Sequence, residues 1–196
     1  MLEALACTST NAHALTQRVA DLQTCFVHIA KTRMQGVALL NPSLRVRAVG
    51  FQVMEGEACA MGVLVTPWFM NLLCLPLARS DEPERVGQQR IRPIGGTDFA
   101  FLGMHEEQGV GSFEACSLFS PMFEFQNAVA AESTAQHVLD MLRRQEANEP
   151  TPARLSVPAE KQLVKLVKSE SVAVQTAPTR RSFFFGRSSS GSGSNV

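Results

Sequence analysis

Cysteine and histidine are the residues of this sequence best suited to bind a metal ion or to act as a nucleophile. No two cysteines form a CxxC pair, and the cysteines and histidines do not combine into a zinc-binding motif. The residues concerned are Cys7, Cys25, Cys59, Cys74, Cys116, His13, His28, His105 and His137. This spacing predicts neither a zinc nor an iron–sulfur site. Because a chain of this length needs no disulfides, we expect reduced thiols and no bound metal or cofactor.

The motifs of the common enzyme classes are missing from the sequence. It contains no GxSxG, GxxxxGK(S/T) or HExxH motif. Gly109-Val110-Gly111 is half of a dinucleotide-binding loop, but a strand is predicted after it, which favours a β-turn. Glu106-Glu107 is typical of a solvated hairpin tip. We therefore expect a protein without enzymatic activity; an enzyme with a pocket around Trp68 and Cys116 is the alternative of a different class.

Two stretches are unusually dense in Trp, Phe and Met: residues 62–72, GVLVTPWFMNL, and residues 116–125, CSLFSPMFEF. In a strand, alternate residues point to opposite sides, which puts Trp68 and Met70 on one side and their neighbours on the other. Methionine is common on surfaces that accept varied apolar segments. The stretches therefore form either core or a partner-binding groove rimmed by Glu124. The candidate binding residues are Trp68, Phe69, Met70, Asn71, Cys116, Ser120, Met122 and Glu124.

Composition and charge restrict the class of partner. The chain has 196 residues, and its 18 Lys and Arg balance 18 Asp and Glu. A general DNA or RNA binder needs a basic excess, so we expect no nucleic-acid partner. The charge is uneven, because residues 1–150 hold 11 basic and 16 acidic side chains (net −5), whereas residues 151–196 hold 7 and 2 (net +5). An acidic body carries a basic tail.

No targeting or membrane segment is predicted. The N-terminus has an acid at position 3 and too short an apolar stretch for a signal peptide. Residues 58–78 are uncharged and long enough to span a bilayer, but Pro67 and Pro76 interrupt them, which favours two buried strands. We expect a soluble cytoplasmic protein that does not insert into a membrane.

Hydrophobic periodicity predicts two helices with strands between them. The first helix is capped by Ser9, Thr10 or Asn11, and its apolar residues recur at intervals of four and three: Leu15, Val19, Leu22, Phe26 and Ile29. The second is capped by Asn127, with the pattern Ala128, Ala131, Ala135, Val138 and Leu142. Strands are predicted at residues 44–54, 58–65, 68–75, 97–102 and 111–118, and a long loop at 79–96. This order predicts a single α+β domain, residues 1–150, with an antiparallel sheet covered by an N-terminal and a C-terminal helix.

Four motifs within this domain resemble one protein family. They are Met34-Gln35-Gly36, residues 41–46 (NPSLRV), residues 62–72 with Leu75-Pro76, and residues 116–122 with Glu124-Phe125. By the order and unusual composition of these motifs, residues 12–146 resemble the HybE/HupJ/HoxT family of [NiFe]-hydrogenase assembly chaperones.

The resemblance implies a non-enzymatic maturation factor of the cytoplasm. Its partner would be the small-subunit precursor of an exported [NiFe]-hydrogenase, with the large subunit as a second candidate. Family members are thought to hold the twin-arginine signal peptide of the precursor until its clusters are inserted and the large subunit is docked. An acidic body with an apolar groove complements a peptide with two arginines before an apolar helix. The alternative is a factor that protects iron–sulfur cluster assembly on the small subunit, acting through Cys116.

The composition changes after Pro150. Residues 151–196 are predicted to form a linker with a short helix at 156–168 and a flexible, disordered basic tail. Within that tail, residues 179–185, TRRSFFF, follow the pattern of a twin-arginine signal core. One interpretation is a chance feature of a basic tail. The other is a tethered pseudo-substrate for the groove, formed by Arg180, Arg181, Phe183 and Phe184.

Overall fold

The computed structural model describes residues 2–148 and confirms the predicted α+β domain. A six-stranded antiparallel sheet packs against two helices. The elements are α1 (Leu2–Lys31), β1 (Arg47–Val53), β2 (Cys59–Val65), β3 (Met70–Pro76), β4 (Gln89–Ile94), β5 (Thr97–Glu106), β6 (Gly111–Phe119) and α2 (Ala128–Asn148). Neither of these two helices combines the length and the hydropathy of a membrane span.

The sheet has the strand order β1-β2-β3-β6-β5-β4. Nearly every residue of β2 and β3 is buried, because both faces of the sheet are covered at its centre. A tight turn joins these two strands: the Thr66 amide donates to the Phe69 carbonyl (2.8 Å), and the Phe69 amide donates to Thr66 Oγ1 (2.9 Å). Trp68 therefore lies in the turn, and β3 begins at Met70.

Each helix packs on a different face of the sheet. The α2 face buries Ala131, Ala135, Val138, Leu139 and Leu142 of the helix against strand residues that include Val63, Leu72, Phe99, Phe101 and Leu118. The α1 face buries Leu22, Cys25, Phe26 and Ile29 of the helix against Leu64, Leu73, Leu75 and Phe113. The buried helix positions follow the spacing of three and four, which confirms the two amphipathic helices.

The structure corrects several of the predicted elements. Helix α1 begins at Leu2, so Asn11 lies inside the helix instead of capping it. Strand β5 continues four residues beyond the predicted end. The predicted loop at 79–96 contains β4, a strand at the edge of the sheet. The sequence of β4 does not show the usual strand pattern for two reasons. Arg92 occupies an inward-facing position, where its Nε donates to Glu114 Oε2 at 2.6 Å. Pro93 is a residue that strands tolerate only at the edge of a sheet.

The start of α2 is as predicted. Asn127 caps the helix, because its Oδ1 accepts a hydrogen bond from the Ala130 amide at 2.9 Å. The predicted short helix at 156–168 and the pseudo-substrate residues Arg180, Arg181, Phe183 and Phe184 lie outside the described residues.

Candidate functional site

Helix α1 leaves part of its own face of the sheet uncovered. Ile91 of β4 and Leu102 and Met104 of β5 share that face, and they are 54%, 43% and 37% exposed. The alternate residues of β5, Phe99 and Phe101, are buried on the α2 face. We call Ile91, Leu102 and Met104 the apolar strip. Contiguous exposed apolar surface of this kind is typical of an interaction site.

An apolar groove lies beside the strip, between α1 and the sheet. Its volume is about 230 Å³, and its apolar lining includes Phe26, Met34, Trp68, Phe69, Met104 and Phe113. The aromatic rings pack edge to face, with centroids 5.5 Å apart for Trp68 and Phe69 and 5.8 Å apart for Phe26 and Phe69. Trp68 and Phe69 are only partly buried, so they present apolar surface to a ligand.

Asn71 adds a polar atom to the lining of the groove. It is the second residue of β3 and lies between Leu64 of β2 and Ser117 of β6. Its Oδ1 is buried, and no group within residues 2–148 donates a hydrogen bond to it. A buried acceptor without a partner is uncommon in folded proteins and costs free energy.

A larger and more polar cavity continues from the groove along the C-terminal part of α1. Its volume is about 650 Å³, and it shares Arg33 and Glu106 with the groove. Its lining includes Glu107 as well as His28 and His105, and Pro83 reaches it from a loop, residues 81–84, that carries three acidic side chains. We call this cavity the acidic cleft.

An ion pair marks the junction of groove and cleft. Arg33 Nη2 lies 2.6 Å from Glu106 Oε2, and the Arg33 side chain is 59% exposed. Exposed ion pairs contribute at most about 1 kcal/mol, so a guanidinium from a ligand can compete for Glu106. Groove and cleft together form one surface with an apolar end and an acidic end, which complements a segment with cations next to apolar residues.

The structure brings together only part of the predicted binding set. Trp68, Phe69 and Asn71 line the groove. Three other predicted residues lie on the opposite face, buried in the core shared with α2: Met70, Cys116 and Met122. The last two are exposed in the loop between β6 and α2: Ser120 and Glu124.

The predicted groove that combines Trp68 with Met70 and Met122 and is rimmed by Glu124 is therefore wrong. The physical reason is the position of the turn. Because Trp68 precedes the strand, the alternation starts at Met70, which faces α2, while Asn71 faces α1. A binding role for Trp68, Phe69 and Asn71 stays a prediction.

A second cluster of reactive groups lies on the α2 face. Cys59 Sγ is 2.9 Å from Cys74 Sγ and 3.2 Å from Glu57 Oε2. Arg92 pairs with Glu57 at 2.8 Å and with Glu114 at 2.6 Å. The hydrogen bond between the thiols lowers the pKa of Cys74. The same hydrogen bond, together with burial, raises the pKa of Cys59. The hydrogen bond from Arg92 lowers the pKa of Glu57. Sequence spacing did not predict this cluster, because the register of β2 and β3 creates it.

Known proteins share these features of sequence and fold. A profile of the family described as "[NiFe]-hydrogenase assembly, chaperone, HybE" matches residues 17–186. The chain is 43% identical to protein HoxT of Cupriavidus necator over 136 residues, which are 64% of this chain and 75% of HoxT. It is 30% identical over 110 residues to the hydrogenase-2 operon protein HybE of Escherichia coli K12, covering 55% of this chain and 65% of HybE.

The fold also has a counterpart among solved structures. The solution structure of HybE from Escherichia coli matches with a TM-score of 0.50 at 21% identity, over 72% of this chain and 88% of that one. These similarities confirm the resemblance predicted from the sequence motifs. The chain belongs to the HybE family of [NiFe]-hydrogenase assembly chaperones.

Proposed function

We propose that this protein is a non-enzymatic chaperone of the cytoplasm that binds the twin-arginine signal peptide of a [NiFe]-hydrogenase small-subunit precursor. By holding the peptide, it delays export until the cofactors are inserted and the subunits are assembled. Family membership supports the hydrogenase context. The observation that carries the peptide chemistry is the junction of the apolar groove with the acidic cleft.

The apolar end of the site suits the apolar helix of such a peptide. Helices dock in grooves by inserting apolar side chains that recur at intervals of three and four residues. Trp68, Phe69 and Met104 offer a half-buried aromatic and methionine surface for these side chains. The rest of the apolar strip, Ile91 and Leu102, extends this surface along the sheet.

The acidic end of the site suits the two arginines. Glu106 and Glu107 line the cleft, and Pro83 of the loop at residues 81–84 also lines it. Arginine forms strong, charge-assisted hydrogen bonds with carboxylates. The net charge of −5 on residues 1–150 also attracts a basic peptide and accelerates its association.

The alternative function, protection of iron–sulfur cluster assembly through a thiol, depends on Cys116. This cysteine is buried in the core shared with α2, on the face opposite the groove. A client would have to displace core side chains to reach it. The burial of Cys116 therefore favours the signal-peptide chaperone.

Trp68 allows a direct test, because it is the sole tryptophan of the chain and lines the groove. Titrating the full chain with a synthetic hydrogenase small-subunit signal peptide should change the tryptophan emission in a saturable way. Changing both arginines of the peptide to Gln should weaken binding roughly tenfold or more, since each charge-assisted hydrogen bond contributes about 1.5–3 kcal/mol. An emission that does not respond to either peptide would contradict the proposed site.

Two matched variants locate the binding surface. Met104→Glu puts a charge into the groove and should abolish binding. Val129→Glu makes the same kind of change at an exposed apolar residue of α2, on the opposite side of the sheet, and should bind as wild type. Equal affinity of the two variants would place the peptide elsewhere.

A further inference from the structure

We propose that Cys59, Cys74 and Glu57 form a binding site for a thiophilic divalent metal ion of the zinc type, on the face of the sheet opposite the groove. One ligand atom of each residue lies within 4.8 Å of the other two. The two cysteines come from the β2–β3 hairpin, and the glutamate comes from the turn that precedes it. Two thiolates and a carboxylate are a ligand set that Zn²⁺ accepts.

The register of the hairpin favours a metal ion over a disulfide. Cys59 pairs with Pro76 and Cys74 pairs with Met61, so the cysteines are diagonal neighbours on one face. Diagonal Cα atoms lie about 7–8 Å apart, beyond the usual limit of roughly 6.8 Å for a disulfide. The two Sγ atoms nevertheless converge to 2.9 Å. Two sulfurs bound to one tetrahedral zinc at about 2.3 Å lie roughly 3.8 Å apart, a separation that small side-chain rotations supply.

The groups around the thiols support a metal ligand set. Glu57 Oε2 accepts a hydrogen bond from Arg92 Nη1 at 2.8 Å, and Arg92 Nε donates to Glu114 Oε2 at 2.6 Å. Hydrogen bonds of this kind fix the orientation of ligating carboxylates. The same oxygen, Glu57 Oε2, lies 3.2 Å from Cys59 Sγ, which places the carboxylate next to the thiols. Arg90 Nη1 also pairs with Glu114 Oε1 at 3.6 Å, so two arginines balance the two carboxylates, and a divalent ion would offset the charge of the thiolates that bind it.

The site is accessible from one side. Glu57 lies in the turn between β1 and β2, and its side chain is 42% exposed. Cys59 and Cys74 are buried beneath it. Met54, whose Sδ is 3.7 Å from Cys59 Sγ, also lines a cavity of about 430 Å³ beside the hairpin. The exposed carboxylate gives the ion an entry path, and the two buried thiols provide ligands that the fold holds in place.

Metal binding by the full, reduced chain tests the proposal. After treatment with a chelator, one equivalent of Co²⁺ should produce thiolate-to-cobalt charge-transfer absorption in the near ultraviolet. Zn²⁺ should displace the cobalt and remain bound to the protein through desalting. Cys59→Ser and Cys74→Ser should each lower the Zn²⁺ affinity more than ~100-fold, and Glu57→Gln about 10-fold. Cys25→Ser removes a buried cysteine on the other face and should keep the wild-type affinity.

A readout independent of spectroscopy covers variants with weakened folds. Zn²⁺ should raise the melting temperature of the wild type and of Cys25→Ser, and it should not raise that of Cys74→Ser. Equal zinc retention by the wild type and a Cys59→Ser/Cys74→Ser double variant, or cobalt binding without charge-transfer absorption, would overturn the proposal. Binding lost in Met54→Leu and kept in Glu57→Gln would also overturn it, since that pattern belongs to a sulfur-only site for monovalent copper.

Discussion

Replacing Trp68 by Ala separates a binding role of this side chain from a packing role. The residue lies in the turn between β2 and β3, where its ring packs edge to face on Phe69 at 5.5 Å. The side chain is only partly buried, and its remaining surface lines the groove. The substitution therefore removes apolar surface from the proposed binding site and leaves the strands on either side of the turn in place.

The expected loss of binding exceeds the expected loss of stability. Truncating an aromatic anchor in a binding site typically costs about 2–4 kcal/mol, which raises the Kd roughly 30-fold to several hundredfold. An edge-to-face aromatic contact contributes only about 0.5–1.5 kcal/mol to folding. Trp68→Ala should therefore melt slightly earlier than the wild type but bind the signal peptide far more weakly.

Fluorescence anisotropy of a dye-labelled signal peptide measures the affinity without using tryptophan emission. Phe123→Ala is the matched control, because Phe123 is an aromatic residue that is 57% exposed in the loop between β6 and α2, away from the groove. We expect wild-type affinity for this control. A Kd for Trp68→Ala within twofold of the wild type, combined with a lower melting temperature, would refute a binding role for the groove at this residue.

Four other changes test the ion pair, a buried amide, a buried thiol and the tail. Arg33→Ala should tighten peptide binding several-fold in the anisotropy assay by releasing Glu106; weaker binding would mean that Arg33 itself contacts the peptide. Asn41→Leu should lower the unfolding free energy in urea by about 2–4 kcal/mol, because the amide donates to two carbonyls of the β6–α2 loop; an unchanged midpoint would contradict this. Cys116→Ser should keep peptide affinity and support hydrogenase maturation in cells, and lost maturation would restore the thiol mechanism. If residues 179–185 act as a tethered pseudo-substrate at millimolar effective concentration, deleting residues 179–196 should tighten peptide binding several-fold; equal affinity would refute that role.

The elements with local signals were predictable from the sequence. The spacing of Leu22, Phe26 and Ile29 predicted the buried side of α1, because a helix repeats its faces within a few residues. Asn127 indicated the start of α2, since its side chain satisfies a backbone amide of the first turn. The uninterrupted apolar run of β2 indicated a strand covered on both faces.

The composition of the candidate site was not predictable in the same way, because strand register determines it. Because β3 begins at Met70, the alternation does not extend back to Trp68, which packs on the α1 face from the turn, and the predicted groove is lost. Met104 belongs to the site only because β5 lies next to β6, beside α1. One signal was present in the sequence. Phe99 and Phe101 alternate with Ala100 and Leu102, so β5 is apolar on both sides, which indicates a partner for each face of the strand. In the structure, Leu102 on the α1 face is nevertheless 43% exposed.

The same pairing determines the cysteine cluster. Cys59 and Cys74 are 15 residues apart, a spacing that matches no metal-binding motif. Counting outward from the turn after β2 brings them within two positions of each other, but that count is reliable only once the turn is placed between Thr66 and Phe69. Spacing in sequence is therefore a weak guide to ligands that come from two strands of one hairpin.

The incomplete layer on the α1 face explains why the proposed site lies where it does. Six strands about 4.8 Å apart form a sheet roughly 24 Å wide, whereas one helix with its side chains is about 10 Å across. On the α2 face, Leu44, Met122 and Phe125 of the loops complete the core that the helix leaves open. On the α1 face, Leu102 and Met104 remain 43% and 37% exposed. Under the proposed function, the apolar helix of a client takes the position that a second helix of the domain would occupy, with its preceding arginines at the acidic cleft.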